Sequence, residues 1–211
     1  MSIPELRTRT RLAPSQRSAQ ILAAADALAR DEGLAALTLR AIAQRAGVAP
    51  GLVAHYTDSM DELVAQTFAR LVVAELDDVR ARVQAAGDPE TRLAVLFATV
   101  LGQDHDDITL VWVDAWSLGR ANPALAAAID LYMAAWQSFI AQIVRDGRAA
   151  GSFQTDDPDA VAWQLLAMID GLSAHALTRG TDAAEFVLRL AQASETLVGA
   201  ASGAVSGRLP S

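Results

Sequence analysis

The stretch 38-TLRAIAQRAGVAPGLVAHY-56 decides the fold of this chain. Thr38 is a residue type that caps helix N-termini, and a short amphipathic helix follows it. Its apolar residues recur at the i, i+3, i+4, i+7 spacing: Leu39, Ile42, Ala43 and Ala46. Gly47 suits a tight turn, and Pro50 suits the first turn of a second short helix that ends near Tyr56. The stretch therefore predicts a helix-turn-helix unit, whose second helix enters the major groove of DNA.

An ordinary helical hairpin is the alternative, because short hairpins rich in alanine and glycine are common. Two features favour DNA binding. The second helix carries side chains that are not needed for packing. A basic arm also precedes the first helix, where it can reach phosphates or a minor groove; its arginines are Arg7, Arg9, Arg11 and Arg17.

The charge distribution agrees with a DNA-binding head. The whole chain has a net charge of -8, which by itself argues against nucleic acid as a partner. Residues 1–57, however, hold seven arginines and four acidic residues, whereas the remainder is strongly acidic. This asymmetry is typical of a basic DNA-binding head joined to a separate regulatory body.

Composition limits the remaining classes. Of the 211 residues, 52% are hydrophobic and 20% are charged, which is enough apolar material for a packed core. The absence of cysteine excludes disulfides and thiolate metal sites, and we expect no cofactor. We also expect no signal peptide, no membrane-spanning helix and a cytoplasmic location.

Helix signals continue along the chain and predict an all-α fold of about nine helices. Ser15 is expected to cap the first helix, and Ser59 with Glu62 forms a capping box. Further helices are expected to begin after Asp88, Asn122, Asp157 and Asp182. We divide the chain into a basic arm (1–14), a helix-turn-helix DNA-binding domain (15–58), a ligand-binding and dimerisation domain (59–198) and a flexible tail (199–211).

The head resembles a known family over residues 15–63. The run T-L-R-x-I-A-x-x-A-G-V-x-x-G-x-V-x-x-H-Y, followed by a helix that opens with D-E-L, closely resembles the DNA-binding domain of TetR-type repressors. The body is similar to the BetI-like, choline-responsive subgroup of that family, through 112-WVDAW-116, 147-GRAAGSF-153, 157-DPD-159 and 169-IDGL-172. The resemblance implies a homodimeric repressor that binds palindromic double-stranded operator DNA and is released by a small-molecule effector.

The resemblance also assigns DNA contacts. It implies that Thr38 binds a phosphate and that the second helix of the motif faces base edges, while its C-terminal end contacts the backbone. Arg40 and Arg45 are either phosphate contacts or solvated surface residues, and Tyr56 is either a backbone contact or a packed aromatic. The full predicted DNA-binding set is Arg17, Thr38, Arg40, Arg45, Ala49, Pro50, Gly51, Leu52, His55 and Tyr56.

The last two long helices are expected to form a four-helix bundle with those of a second subunit. The resemblance implies this arrangement, and a stripe of small and apolar residues suits it. The predicted dimer interface contains Ala162, Leu166, Ile169, Gly171, Ala174, Phe186, Leu190, Ala193 and Leu197.

All four tryptophans lie in the body and predict a ligand pocket. Aromatic rings beside an acid suit an organic cation, through cation–π attraction. We favour packing in the core or at the dimer interface for these rings, and a hydrophobic or aromatic effector is at least as good an alternative as a cation. The predicted pocket residues are Phe68, Phe97, Trp112, Asp114, Trp116, Trp136, Trp163 and Asp170.

The sequence gives less support to two other function classes. The segment 104-DHDD-107 is the nearest approach to a metal cluster, but four adjacent loop residues rarely converge on one ion. No phosphate-binding loop or nucleophile motif occurs, so we predict that the chain is not an enzyme. A helical ligand-binding or interaction protein without DNA function is the remaining alternative.

Three departures from the family pattern lead to a prediction about the arm. The family often has tyrosine, an aromatic residue and lysine where this chain has Ala54, Thr57 and Met60. We expect the arginines of the arm to replace the lost phosphate contacts. Deleting residues 1–12 should therefore reduce the slope of operator affinity against salt concentration, because fewer counterions are released. Titrations of the full and truncated chains check this, and an unchanged slope would contradict it.

Overall fold

A computed structural model describes residues 13–179 and 183–210, and within these ranges the chain is built from α-helices and short 3₁₀ turns. Nine α-helices follow one another in the described part of the chain, as the sequence predicts: α1 (Pro14–Glu32), α2 (Leu39–Ala46), α3 (Pro50–His55), α4 (Met60–Ala85), α5 (Pro89–Val100), α6 (Asp106–Leu118), α7 (Pro123–Ala149), α8 (Pro158–Arg179) and α9 (Ala183–Val198).

Local capping chemistry explains most helix starts. Five predicted caps accept a hydrogen bond from a backbone N–H three residues on: Thr38, Ser59, Asp88, Asn122 and Asp157. Another predicted cap, Asp182, lies outside the described residues. The prediction for the first helix is wrong. Ala13 is its N-cap and Ser15 lies inside the helix, because Gln16 accepts the Ala13 N–H and Pro14 occupies the first turn.

Helices α1 to α3 form the head around a small apolar core. Leu28, Ile42 and Val53 come one from each helix and are fully buried or nearly so. Gly47 ends α2 in the left-handed conformation, with φ 66°, which only glycine adopts without strain. The turn then directs α3 across α2, and the outer side of α3 remains exposed to solvent.

Helices α4 to α9 form the larger body. Phe68 and Phe97 are completely buried, on α4 and α5, and α7 packs against both α4 and α8. The two helices α7 and α8 are long and apolar enough to cross a membrane by length and composition. Part of each helix is buried inside the body, including Ile140 and Leu165, and length and composition alone do not show membrane insertion.

Charged groups join the head to the body. On the body side, α6 supplies two contacts: Asp107 pairs with Arg30 at 2.5 Å, and Asp114 accepts the Ala35 N–H at 2.9 Å. Helix α4 supplies a third, because Arg70 donates twice to the carboxylate of Asp26 on α1. The orientation of the head therefore depends on both α4 and α6.

The C-terminal segment is folded, although the sequence predicted a flexible tail. Residues 199–210 turn back onto the body, where Val205 is fully buried. The carboxylate of Glu195 on α9 accepts hydrogen bonds from the backbone of Gly203, Val205 and Ser206 and from the Ser206 hydroxyl. A single buried acid thus satisfies several backbone donors of a segment rich in glycine, serine and alanine.

Candidate nucleic-acid interface and ligand cavity

Thr38 stands exposed at the start of α2 on the outer surface of the head. Its Oγ1 accepts the Ala41 N–H at 3.1 Å, which caps the helix. Because a hydroxyl can accept and donate at once, its hydrogen remains available for an acceptor outside the protein. The same side chain can therefore cap α2 and donate to a phosphate.

Helix α3 presents small residues to solvent. Ala49, Pro50 and Gly51 are exposed, Leu52 is half-buried, and Val53 is fully buried against the head. This outer face offers apolar contact and few hydrogen bonds, which suits thymine methyl groups better than polar base edges.

The C-terminal end of α3 carries two rings. His55 is exposed and Tyr56 is half-buried, with their ring centres 5.3 Å apart in an edge-to-face arrangement. Tyr56 therefore both packs against the head and borders the exposed face.

The predicted DNA-binding arginines differ in how far their charges are already paired within the protein. Arg45 pairs with Asp31 at 2.6 Å and with Glu32 at 3.4 Å, so its charge is partly neutralised within the head. Arg17 donates to Gln20 at 2.7 Å. Arg40 is exposed and has no ion pair within the described ranges. The arm arginines Arg7, Arg9 and Arg11 lie outside the described residues.

The body contains a cavity between α4, α5, α6, α7 and α8 that brings together part of the predicted pocket. About 490 Å³ of space not occupied by protein atoms lies between these helices, most of it continuous with solvent at the open mouth. Trp112, Trp116, Trp136 and Asp170 line it, as the sequence predicts, and Glu75 joins them. The other lining residues are Val100, Thr109, Met133, Leu166, Ile169 and Ser173. The described lining thus contains two acids and no basic side chain.

Glu75 is the acidic residue that sequence reasoning missed. It lies on the apolar side of α4, one turn after Leu71 and one turn before Val79, both of which are buried. An acid at a core position of an amphipathic helix was the available signal. Trp112 donates its indole N–H to the Glu75 carboxyl at 3.0 Å, and His105 Nε2 lies 3.7 Å from the other oxygen.

Burial controls the ionisation of this cluster. Loss of solvent raises the pKa of Glu75 to about 7, and the nearby carboxylate of Asp107 adds to the effect, whereas the Trp112 N–H and Arg30 oppose it. Burial likewise raises the pKa of Asp170 to about 7 and lowers the pKa of His105. Near neutral pH the cavity therefore holds carboxyl groups balanced between their neutral and charged forms.

The remaining predicted pocket residues lie elsewhere. Phe68 and Phe97 are core residues, although the Phe68 ring packs edge-to-face on Trp112 at 4.9 Å. Asp114 bonds to the head and does not line the cavity. Trp163 is 63% exposed on the outer face of α8. Trp112 and Trp116, one helical turn apart on α6, therefore line the cavity. Asp114 lies between them in sequence but contacts the head instead.

The predicted dimer residues divide into three groups. Ala162 and Leu190 are fully buried within the chain, so they pack in its own interior. Leu166 and Ile169 line the ligand cavity. Gly171 is exposed, and four others are half-buried: Ala174, Phe186, Ala193 and Leu197. Two further apolar residues on the same helices, Trp163 and Leu188, are exposed and lie outside the predicted set.

Comparison with known proteins agrees with this architecture. Residues 21–67 match the model for bacterial regulatory proteins of the tetR family, and residues 89–198 match that for the C-terminal domain of BetI-type transcriptional repressors. The transcriptional regulator BetI of Rhizobium meliloti is 28% identical over 75% of this chain and 76% of its own length. BetI 2 of Chromohalobacter salexigens is 32% identical over 80% of this chain and 82% of its own length.

Solved structures share the fold. A TetR-family regulator from Rhodococcus sp. superimposes with a TM-score of 0.71 at 22% identity, over 87% of this chain and 99% of its own. A transcriptional regulator from Saccharomonospora viridis in complex with choline has a TM-score of 0.75 at 25% identity, over 83% of this chain and 94% of its own. The chain is a TetR-family transcriptional regulator with a BetI-type C-terminal domain, and not an enzyme.

Proposed function

We propose that this regulator represses transcription by binding a palindromic operator as a homodimer, and that an organic cation in the tryptophan-lined cavity releases it. The observation that carries the proposal is the cavity lining, which combines three tryptophans with two carboxyl groups and, among the described residues, no basic side chain.

Operator binding is supported by the outer face of the head. Thr38 and Arg40 are exposed at the start of α2, and much of α3 is exposed as well, so α3 can enter a major groove. The apolar character of α3 leaves much of the affinity to phosphate contacts, which are sensitive to salt.

Dimerisation is supported by apolar side chains on the outer faces of α8 and α9. Trp163, Ala167 and Gly171 follow one another at four-residue spacing along one exposed side of α8. Leu188 is exposed on α9, which packs against α8. Joining two such faces by a two-fold axis would bury this apolar surface and place the two heads on half-sites of a palindrome.

A cationic effector is supported by the chemistry of the cavity. Tryptophan faces attract ammonium groups, and a carboxylate released from its proton supplies the opposite charge. The choline in the Saccharomonospora viridis regulator is a ligand of this class. A neutral apolar molecule would leave both carboxyl groups of the cavity without a charged partner.

Release of DNA is supported by the position of α6. This helix carries Trp112 and Trp116 on the cavity side, and Asp107 and Asp114 on the side that holds the head. A ligand that fits only one position of α6 therefore favours one orientation of the head, to the extent of its differential affinity. Helix α4 joins the same coupling through Glu75 and Arg70.

The contact assigned to Thr38 is tested by two substitutions. Thr38→Ala removes the phosphate donor and should lower operator affinity about tenfold, with about 1 kcal/mol lost from stability through the missing cap. Thr38→Ser keeps the hydroxyl and should remain near wild type. Binding titrations and thermal unfolding measure the two effects separately. Equal affinities for the alanine and serine variants would remove Thr38 from the interface.

The effector class is tested by a charged and a neutral molecule of the same shape. Choline should dissociate the operator complex in a mobility-shift assay, whereas 3,3-dimethylbutan-1-ol should not, because it lacks the positive charge. Glu75→Gln and Asp170→Asn should each raise the choline concentration required by about tenfold, equivalent to about 1.4 kcal/mol.

An exposed carboxylate on α4 provides the control for this experiment. Asp77→Asn removes a largely exposed carboxylate from the same helix as Glu75 and should leave release unchanged. Release by both molecules would indicate a hydrophobic effector. Failure of choline to bind would show that the cavity does not serve this class of cation.

A further inference from the structure

A surface groove between α7 and α8 adjoins the tryptophan-lined cavity. Met133, Leu166 and Asp170 line both spaces, so these three side chains lie at the boundary between them. The outer part of the groove is formed by residues that do not line the cavity: Asp130, Ala134, Gln137, Trp163 and Ala167. Anything that covers the groove therefore lies against the boundary of the cavity.

The groove continues into the side of α8 that we propose for dimerisation. Trp163 and Ala167 belong to both surfaces, and the Trp163 side chain is 63% exposed. Asp170 follows Trp163 by seven residues and Ala167 by three, so all three lie on the same side of the helix. A partner that packs on Trp163 and Ala167 would therefore also reach Asp170.

A second copy of this chain is the occupant that fits the groove best. The exposed indole of Trp163 is a large apolar surface that association would remove from water. In a two-fold dimer each subunit presents the same face to the other, so a single kind of contact covers both grooves at once. The groove is continuous with the dimer face through Trp163 and Ala167, and no separate partner is needed to cover it.

Asp170 gives this cover a chemical consequence. Its side chain is half-buried and has no hydrogen bond or ion pair to the described residues. A partner over the groove would exclude water from the outer side of Asp170. A carboxylate that has lost this water is attracted more strongly to a positively charged ligand inside the cavity, because the local dielectric is lower.

We propose that the partner subunit covers the groove between α7 and α8 and completes the outer wall of the cavity. Each effector site is then built by two copies of the chain, with α7 added to the α8 and α9 interface that the sequence predicts. This inference rests on the proposed homodimer and adds a link between dimerisation and ligand binding. The link is reciprocal: a ligand that the dimer binds more tightly than the monomer stabilises the dimer to a corresponding extent.

The absence of cysteine from the chain allows the groove to be tested one position at a time. Ala134→Cys places a single thiol on the α7 side of the groove, whereas Ala81→Cys places one at an exposed position of α4, outside the groove. In the dimer, an uncharged maleimide should modify the thiol at position 134 about tenfold more slowly than the thiol at position 81, because the partner must first move away.

A variant that separates the subunits supplies the second comparison. Trp163→Glu places a charge in the proposed contact, so the protein should sediment as a monomer. The thiol at position 134 should then react nearly as fast as the one at position 81, and calorimetry should show choline binding weakened about tenfold. Val73→Glu adds the same charge at an exposed apolar position of α4 and should change none of these results. The comparison of the two thiols in the wild-type background does not depend on the folding of Trp163→Glu.

The outcomes separate this inference from the proposed function. If the wild-type chain sediments as a monomer, the homodimer and the shared site both fail. If a dimer forms but both thiols react at the same rate, the groove is open and the shared site alone is overturned. If choline does not bind, the cation site fails, and the two thiol rates still decide whether the partner covers the groove.

Discussion

A carboxyl group held inside an apolar body is the constraint on which the rest of this structure depends. Glu75 occupies a core position of α4, where an ionised carboxylate is costly unless a positive charge or several donors lie beside it. Among the described residues, the Trp112 N–H is the one hydrogen-bond donor to Glu75, and the pKa of Glu75 rises to about 7 because burial outweighs that bond. A group in this state weakens the fold as the pH rises toward 7, since the unfolded chain ionises at lower pH. A bound cation would remove that cost, so the same group that destabilises the empty body favours a positively charged ligand.

The cavity and the head share their supporting helices. Trp112 and Trp116 face the cavity from α6, and Asp107 and Asp114 of the same helix hold α1 and the segment that follows it. The Asp114 carboxylate lies so close to Gly33 that any side chain larger than hydrogen at position 33 would collide with it. In the proposed release mechanism, an adjustment of α6 toward a ligand would be transmitted to the head through these short polar contacts. Because the contacts are directional, a displacement of α6 would change the orientation of the head.

Local signals in the sequence predicted most of the fold. The caps at Thr38, Ser59 and Asn122 bond to a backbone N–H three residues on, and the left-handed turn depends on Gly47 alone. The caps and the turn can therefore be predicted from the sequence without knowledge of the tertiary structure. The first helix was misplaced at its start because Gln16, rather than Ser15, supplies the capping bond. The folded tail was missed because it depends on Glu195, whose bonds to residues 203–206 have no periodic signature.

The DNA-binding face and the cavity were predictable only in part, because local structure can be read from the sequence and long-range packing cannot. The helix-turn-helix face is a local structure, and its exposed residues follow from the motif. The cavity depends on how five helices pack, so sequence reasoning found Trp112, Trp116, Trp136 and Asp170 but could not separate them from Phe97, which belongs to the core. Asp114 and Trp116 are two residues apart on one helix and still face different parts of the molecule. The placement of Glu75 contained a usable signal, an acid within an apolar stripe, and its partner Trp112 is identified only by the folded chain.

In the proposed cation site, the carboxyl groups of the cavity give up protons when a positively charged ligand binds. Titration calorimetry with choline at pH 7, in two buffers of different ionisation enthalpy, measures this exchange directly. Since the pKa values of Glu75 and Asp170 are both about 7, binding should release up to about one proton per ligand, and affinity should rise between pH 6 and pH 8. Binding heats that do not depend on the buffer, together with equal affinities at the two pH values, would contradict the account.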